Sequence, residues 1–128
     1  MRLTQEEYQT LKNRNPKQRL QALGRMKKGK RNKTEERYEQ HLELQKRAGE
    51  ILWYKFEAVK FRVGDKCFWS PDFMVMTATG LLECHDVKGS RDVFEDDARV
   101  KMKAVAEMFP LRVIAVYPSG SGWDIEEF

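Results

Sequence analysis

The chain has 128 residues and a mass of 15.1 kDa, with 41% hydrophobic and 34% charged residues and a formal net charge of +4. This length fits one domain with a modest core and an appended arm. No apolar run approaches the roughly 18 residues that a membrane span requires. Because the N-terminus is polar and two cysteines are too few for a disulfide framework, we expect no secretory signal, no membrane partner and a reducing, cytoplasmic location.

Two short helices and a mobile segment are predicted in the first quarter of the chain. A capping box at residues 4–7 indicates a helix that ends near Arg14. Apolar residues at i, i+3 and i+6 indicate a second, weak helix over residues 17–26. Residues 27–33 contain nothing to bury, which predicts a mobile segment.

This N-terminal region is strongly basic. Residues 1–33 carry eleven Lys/Arg and two Glu, a net +9, whereas the remainder carries thirteen Lys/Arg and eighteen Asp/Glu, a net −5. A basic arm on an acidic body is expected when the arm meets nucleic acid and the body holds carboxylates for a metal. A solvated linker is the alternative. The arm residues predicted to bind nucleic acid are Lys27, Lys28, Lys30, Arg31 and Lys33.

The remainder predicts a single α/β domain over residues 34–128, with the arm at 1–33. Thr34 is predicted to cap a helix with an acidic first turn, and Gly49 is predicted to end it. Alternating apolar residues and turn signals then predict a three-strand meander. Its strands are expected at 51–63, 66–76 with an interruption at Pro71, and 81–87. The meander is followed by a helix at 95–108, an apolar, central strand at 111–117 and an edge strand at 123–125. This order predicts a mixed sheet.

Three charged residues flank the predicted hairpin of the last two meander strands. Asp72 starts one strand, and Asp86 and Lys88 end the next. Because side chains two apart in a strand share a face, Asp86 and Lys88 project together, and Asp72 can reach the same spot. Two carboxylates and an ammonium suit a hard divalent cation and a water that attacks a phosphate. The pattern predicts a metal-dependent nuclease, with a structural Asp86–Lys88 ion pair as the alternative.

The element order and these residues resemble the PD-(D/E)XK nuclease superfamily. The stretches that carry the resemblance are Asn32-Lys33-Thr34-Glu35, Trp53-Tyr54-Lys55-Phe56-Glu57-Ala58, Pro71-Asp72 and, after thirteen residues, Asp86-Val87-Lys88-Gly89. Together they look like a family of small phage- and prophage-encoded nucleases of this superfamily. The resemblance covers about residues 32–117 and implies a restriction-endonuclease-like core: helix, three-strand meander, helix and strand.

The resemblance implies a Mg²⁺- or Mn²⁺-dependent DNA endonuclease. The implied metal ligands are Asp72, Asp86 and the Val87 carbonyl. Lys88 would orient the attacking water and contact the scissile phosphate. A helix acid is expected to serve the same site, Glu35 first and Glu39 second, because both lie on the helix face predicted to pack on the sheet. Two roles are possible for Glu57: an extra acid near the metal, or an ion-pair partner for a basic residue of the same strand.

The resemblance also implies a phage-encoded protein in a bacterial host cell, acting in recombination, replication or genome processing with phage partners. A structure-selective role suits a chain without a sequence-reading module, and a homodimer would allow both strands to be cut. Arg99 and Lys103, four residues apart on the second helix, form a basic edge that meets a phosphate backbone or is simply solvated. Two alternatives are a non-catalytic nucleic-acid-binding protein on the same fold and an interaction protein whose arm meets an acidic partner.

Overall fold

The computed structural model describes residues 4–6, 31–91 and 96–128. The chain divides into two units, Met1–Arg31 and Asn32–Phe128, and the elements named below lie in the second. Gln5 and Glu6 are helical. The remainder of the two predicted N-terminal helices, and most of the predicted mobile segment, lie outside the described residues.

Two helices and seven strands form the described part of the second unit. They are α1 (Lys33–Arg47), β1 (Ile51–Phe56), β2 (Phe61–Gly64), β3 (Cys67–Trp69), β4 (Phe73–Thr77), β5 (Leu82–Val87), α2 (Asp96–Met108), β6 (Arg112–Ser119) and β7 (Gly122–Glu127). Five strands form a mixed sheet in the order β1-β4-β5-β6-β7, in which β5 and β6 are parallel and the other neighbours antiparallel. The prediction of an α/β fold with a mixed sheet is confirmed.

Helix α1 begins two residues earlier than the sequence predicted. The Glu35 N–H donates to the Asn32 side chain (2.8 Å), and the Asn32 N–H donates to Glu35 Oε1 (3.1 Å), which completes a capping box. The prediction of Thr34 as the cap is wrong, because only Asn32 has a glutamate three residues later to return the hydrogen bond. The helix stops as predicted: Gly49 follows it with a φ of 80°.

The predicted three-strand meander is interrupted by a separate hairpin. β1 pairs directly with β4, and Phe56 lies opposite Phe73. Between them, β2 and β3 form their own two-stranded sheet. The prediction of one strand over 51–63 is wrong because Glu57, with a φ of 48°, ends β1. The predicted interruption at Pro71 is confirmed, since it separates β3 from β4.

Apolar side chains cover both faces of the five-stranded sheet. The α1 side buries Tyr38, Leu42, Ile51, Phe73, Val75, Val87, Ile114 and Val116. The α2 side buries Trp69, Met74, Cys84, Met102, Val105, Val113, Ala115 and Tyr117. β6 contributes to both clusters and lies between β5 and β7, which confirms its predicted central, parallel position. Since Cys84 faces α2, alternation places Asp86 on that same side.

The capping box gives a direct test of where α1 begins. Asn32→Ala removes the acceptor for the Glu35 N–H and should lower the free energy of unfolding by about 1 kcal/mol. Thr34→Ala, at the position that the sequence suggested as the cap, should change it by less than about 0.5 kcal/mol. Urea unfolding of both variants measures the difference. Equal losses in the two variants would contradict the cap seen here.

Candidate active site

The register of β4 against β5 brings the two predicted aspartates together. Phe73 lies opposite His85 and Met74 opposite Cys84, so one step outward places Asp72 opposite Asp86. The Val87 N–H donates to Asp72 Oδ2 at 2.7 Å and fixes that carboxylate against the end of β5. The structure thus places Asp72 where alternation along the two strands predicted it.

Lys88 and Asp86 form the second half of the site. Lys88 Nζ lies 3.0 Å from Asp86 Oδ2, and the Lys88 N–H donates to the Val116 carbonyl at 2.9 Å. Asp86 is only 4% exposed, whereas the Lys88 side chain is partly open to solvent. The Lys88 ammonium therefore contacts a buried carboxylate and is itself partly accessible to solvent.

The two aspartates oppose each other electrostatically. Burial raises the pKa of Asp72 well above its ordinary range, and the Asp86 charge and a hydrogen bond shared with Asp86 raise it further. The Val87 N–H acts in the opposite direction and favours the charged form. One ammonium beside two carboxylates leaves one negative charge uncompensated, so the pair requires a proton or a further cation.

The residues present fit a magnesium-type site. Mg²⁺ is usually held by one or two carboxylates and completes its shell with waters and substrate phosphates. Asp72 and Asp86 supply two such carboxylates, and their repulsion is what a divalent cation would relieve. Among the described residues, no group of three or more His, Cys, Asp and Glu forms a metal cluster. The protein therefore contributes a pair of acids rather than a complete cage.

The two helix acids differ in their relation to this pair. The negative charge of Glu35 contributes to the raised pKa of Asp72, so this carboxylate is close enough to act on the site. It also accepts the Asn32 N–H as part of the capping box. Glu39 is half-buried one turn further along α1. Glu35 thus acts electrostatically on Asp72, and the choice between Glu35 and Glu39 stays a prediction.

Glu57 is a buried acid that the sequence left undecided. It is 7% exposed and follows the last residue of β1. Its N–H donates to the Asp72 carbonyl at 2.8 Å, so the two residues lie side by side across the β1–β4 pair. The alternating pattern of residues 57–63 concealed this position, because it suggested an unbroken strand where the backbone turns at Glu57.

His85 lies on the other side of the sheet from Asp86, as alternation predicts. Its Nδ1 is 2.6 Å from the Tyr38 hydroxyl and its Nε2 is 2.9 Å from Glu83 Oε1. Arg112 donates to the second oxygen of Glu83 at 3.2 Å. This chain of contacts stabilises the packing of α1 on β5 and contributes no group to the aspartate pair.

The predicted nucleic-acid-binding residues have different outcomes. Lys27, Lys28 and Lys30 lie outside the described residues; Arg31 is half-buried, and Lys33 is exposed in the first turn of α1. Lys103 is exposed on α2. Arg99, by contrast, donates to Glu126 Oε2 at 2.7 Å and is directed to β7. Of the predicted basic edge, Arg99 is therefore paired with an acid on β7 and Lys103 is exposed, and their binding of a phosphate backbone stays a prediction.

Comparison with known proteins adds no identity to this geometry. No family model, curated protein or solved structure matches the chain. In the part of the chain that the structure describes, no helix is long and apolar enough to cross a membrane. The function is therefore inferred from the aspartate pair and its surroundings.

The raised pKa of Asp72 predicts a characteristic pH dependence of stability. In EDTA, the unfolded chain releases the Asp72 proton near pH 4, whereas the folded chain retains it to higher pH. The contribution of Asp72 to stability should therefore decrease as pH rises above about 4, until the folded pKa is passed. Asp72→Asn should remove this decrease and exceed the wild type in stability at about pH 8. Thermal unfolding of both proteins between about pH 4 and pH 8 measures this difference in stability.

An exposed aspartate supplies the control for that measurement. Asp124→Asn on β7 should keep the wild-type pH dependence, since Asp124 is exposed. Mn²⁺ should stabilise the wild-type protein more than it stabilises the Asp72→Asn variant, because the ion binds the folded carboxylate pair. Identical pH profiles for wild type and Asp72→Asn would refute the raised pKa.

Proposed function

We propose that this chain is a metal-dependent DNA endonuclease of the PD-(D/E)XK type. The observation that carries the proposal is the adjacent, desolvated pair Asp72 and Asp86 with Lys88 at 3.0 Å. A structural ion pair needs one carboxylate for one ammonium. Here a second carboxylate lies beside the first at an energetic cost, which is the arrangement that a divalent cation and a phosphate substrate would use.

The roles of the residues follow from their positions. Asp72 and Asp86 would hold Mg²⁺ or Mn²⁺ through their oxygens, with the Val87 carbonyl as the further predicted ligand. The bound ion would supply a water of lowered pKa and neutralise charge on the phosphoryl oxygens. The Val87 N–H keeps Asp72 oriented towards Asp86. Lys88, paired with Asp86 and partly open to solvent, would orient the water and contact the scissile phosphate.

Further roles are proposed for the surrounding acids and bases. Glu35 is the helix acid that we assign to the site, because its charge already acts on Asp72. The basic arm, with Arg31 and Lys33 at its junction with α1, would hold the phosphate backbone. We further propose a phage-encoded, structure-selective nuclease of recombination, replication or genome processing. A homodimer and phage partners stay predictions.

One observation favours a second candidate function. Lys88 already compensates Asp86, and a buried ion pair of this kind also occurs as a purely structural feature. A nucleic-acid-binding protein that keeps the fold without the chemistry would show the same contact. The two candidates differ in a single property, metal-dependent cleavage, and both predict binding that weakens steeply with salt.

Cleavage of labelled DNA tests the first candidate. Duplex, nicked, flapped, four-way-junction and single-stranded DNA would be incubated with Mg²⁺ or Mn²⁺ and with EDTA. Wild-type protein should cut at least one of them with metal. Asp86→Ala and Lys88→Ala should each lower the rate by about 100-fold or more, because they remove charge stabilisation and water orientation.

Matched exposed residues control for the loss of charge. Lys55→Ala on β1 and Asp124→Ala on β7 each remove one exposed charge of the same type and should cut like the wild type. If the wild type binds these DNAs but cuts none with either metal, the second candidate function replaces the first. RNA substrates in the same assay define the nucleic acid that is cut.

A further inference from the structure

A second charged cluster lies on the α2 side of the sheet. Arg99 binds Glu126 in a bidentate manner, with Nη1 2.7 Å from Oε2 and Nη2 3.3 Å from Oε1. The Tyr117 hydroxyl donates to Glu126 Oε1 at 2.6 Å. Arg91 adds a third, longer contact, with Nη1 3.3 Å from the same oxygen. These four residues, Arg91, Arg99, Tyr117 and Glu126, are called the Glu126 cluster.

The Glu126 cluster carries one excess positive charge. Its two guanidinium groups face a single carboxylate, whose pKa the Arg99 hydrogen bond lowers. Burial raises the pKa of Tyr117 to about 12, so the phenol stays neutral. Arg99 already has a bidentate partner, whereas Arg91, among the described residues, has one long contact to a carboxylate and a side chain that is 54% exposed. Arg91 is therefore the member whose charge is least compensated.

The sheet register places the Glu126 cluster beside the aspartate pair. Asp86 lies opposite Ala115 on β6, and Ala115 lies opposite Glu126 on β7. Ala115 belongs to the α2-side core, as does Cys84 two residues before Asp86, so the row of three shares one face. Two strand spacings separate Asp86 from Glu126, roughly 10 Å. Arg91 itself follows Lys88 by three residues along the chain.

The Arg91 guanidinium also lies over the aromatic ring of Tyr117. Its central carbon lies 4.6 Å from the centre of the Tyr117 ring. Stacking on an aromatic ring reduces the freedom of an arginine without using its donors, and the planar guanidinium prefers bidentate contacts to phosphate. A single 3.3 Å contact to Glu126 leaves most of those donors for another anion.

We propose that Arg91 binds a backbone phosphate next to the scissile phosphate, and that Glu126 is the internal anion which this phosphate replaces at Arg91. The inference rests on the proposed function and adds a substrate-binding residue to it. Arg99 keeps its bidentate partner throughout, so β7 and α2 stay joined while Arg91 exchanges a carboxylate for a phosphodiester. With the phosphate bound, the two guanidinium groups of the cluster face two anions, Glu126 and the phosphodiester.

DNA binding in EDTA tests the role of Arg91 separately from cleavage. Arg91→Gln should weaken binding about tenfold and lower the slope of log affinity against log salt by about one, since one phosphate contact is lost. Arg91→Lys should restore the slope and only part of the affinity. The control is Arg47→Gln: Arg47 is 75% exposed and also makes one long contact to a carboxylate, 3.7 Å to Glu43. It should bind like the wild type.

Glu126→Gln supplies a test of opposite sign. It removes the competing anion, so binding should become tighter, and the gain should be absent from the Arg91→Gln/Glu126→Gln double variant. A merely structural cluster would change thermal stability without a gain in affinity, and thermal unfolding of each variant reports this directly. Binding that is unchanged or weaker in Glu126→Gln, in protein that remains folded, would contradict the exchange.

The outcomes separate this inference from the proposed function. If the wild type cuts DNA but Arg91→Gln matches Arg47→Gln in affinity and salt slope, the role of Arg91 is refuted and the nuclease stands. If no DNA is cut but Arg91→Gln still lowers affinity and slope, the phosphate contact of Arg91 stands within the non-catalytic function, and its position next to a scissile phosphate is refuted. A wild type that binds no DNA refutes both.

Discussion

The pairing of β4 with β5 is the constraint on which the candidate site depends. A slip of one residue would move Asp72 to the opposite face from Asp86, because side chains alternate along a strand. Packing on both faces prevents that slip: Phe73 is fully buried against α1, and Met74 contacts Cys84 on the α2 side with their sulfurs 3.6 Å apart. The hydrophobic core thus holds together two carboxylates that electrostatics would separate.

Strand β5 performs two unrelated tasks on its two faces. On the α1 side, His85 links Tyr38 to Glu83 and satisfies polar groups within the packing. On the α2 side, Asp86 and then Lys88 face the substrate that we propose. Since adjacent residues alternate, a polar structural network and a charged site lie within one strand without sharing a contact. This explains how the strand remains largely buried while it carries Glu83, His85 and Asp86.

The sequence predicted those elements that are determined locally. The alternation in β5 was sufficient to place Asp86 and Lys88 on one face, and the apolar run of β6 was sufficient to predict a central, parallel strand. The position of the hairpin β2–β3 was not predictable in this way, since the alternation of residues 57–63 does not reveal which sheet receives the strand. The contacts of Arg99 and Arg91 with Glu126 join residues 27 and 35 positions apart, so only the tertiary structure brings them together.

The left-handed backbone at Glu57 has a consequence for any attempt to make this protein more stable. Glycine or asparagine accepts a φ of 48° with less strain than glutamate, so position 57 would be an obvious first choice for stabilisation. Either replacement would remove the buried acid that lies beside Asp72. A gain in stability and the retention of a buried acid next to the proposed site are therefore opposed at one residue, as occurs at many functional sites.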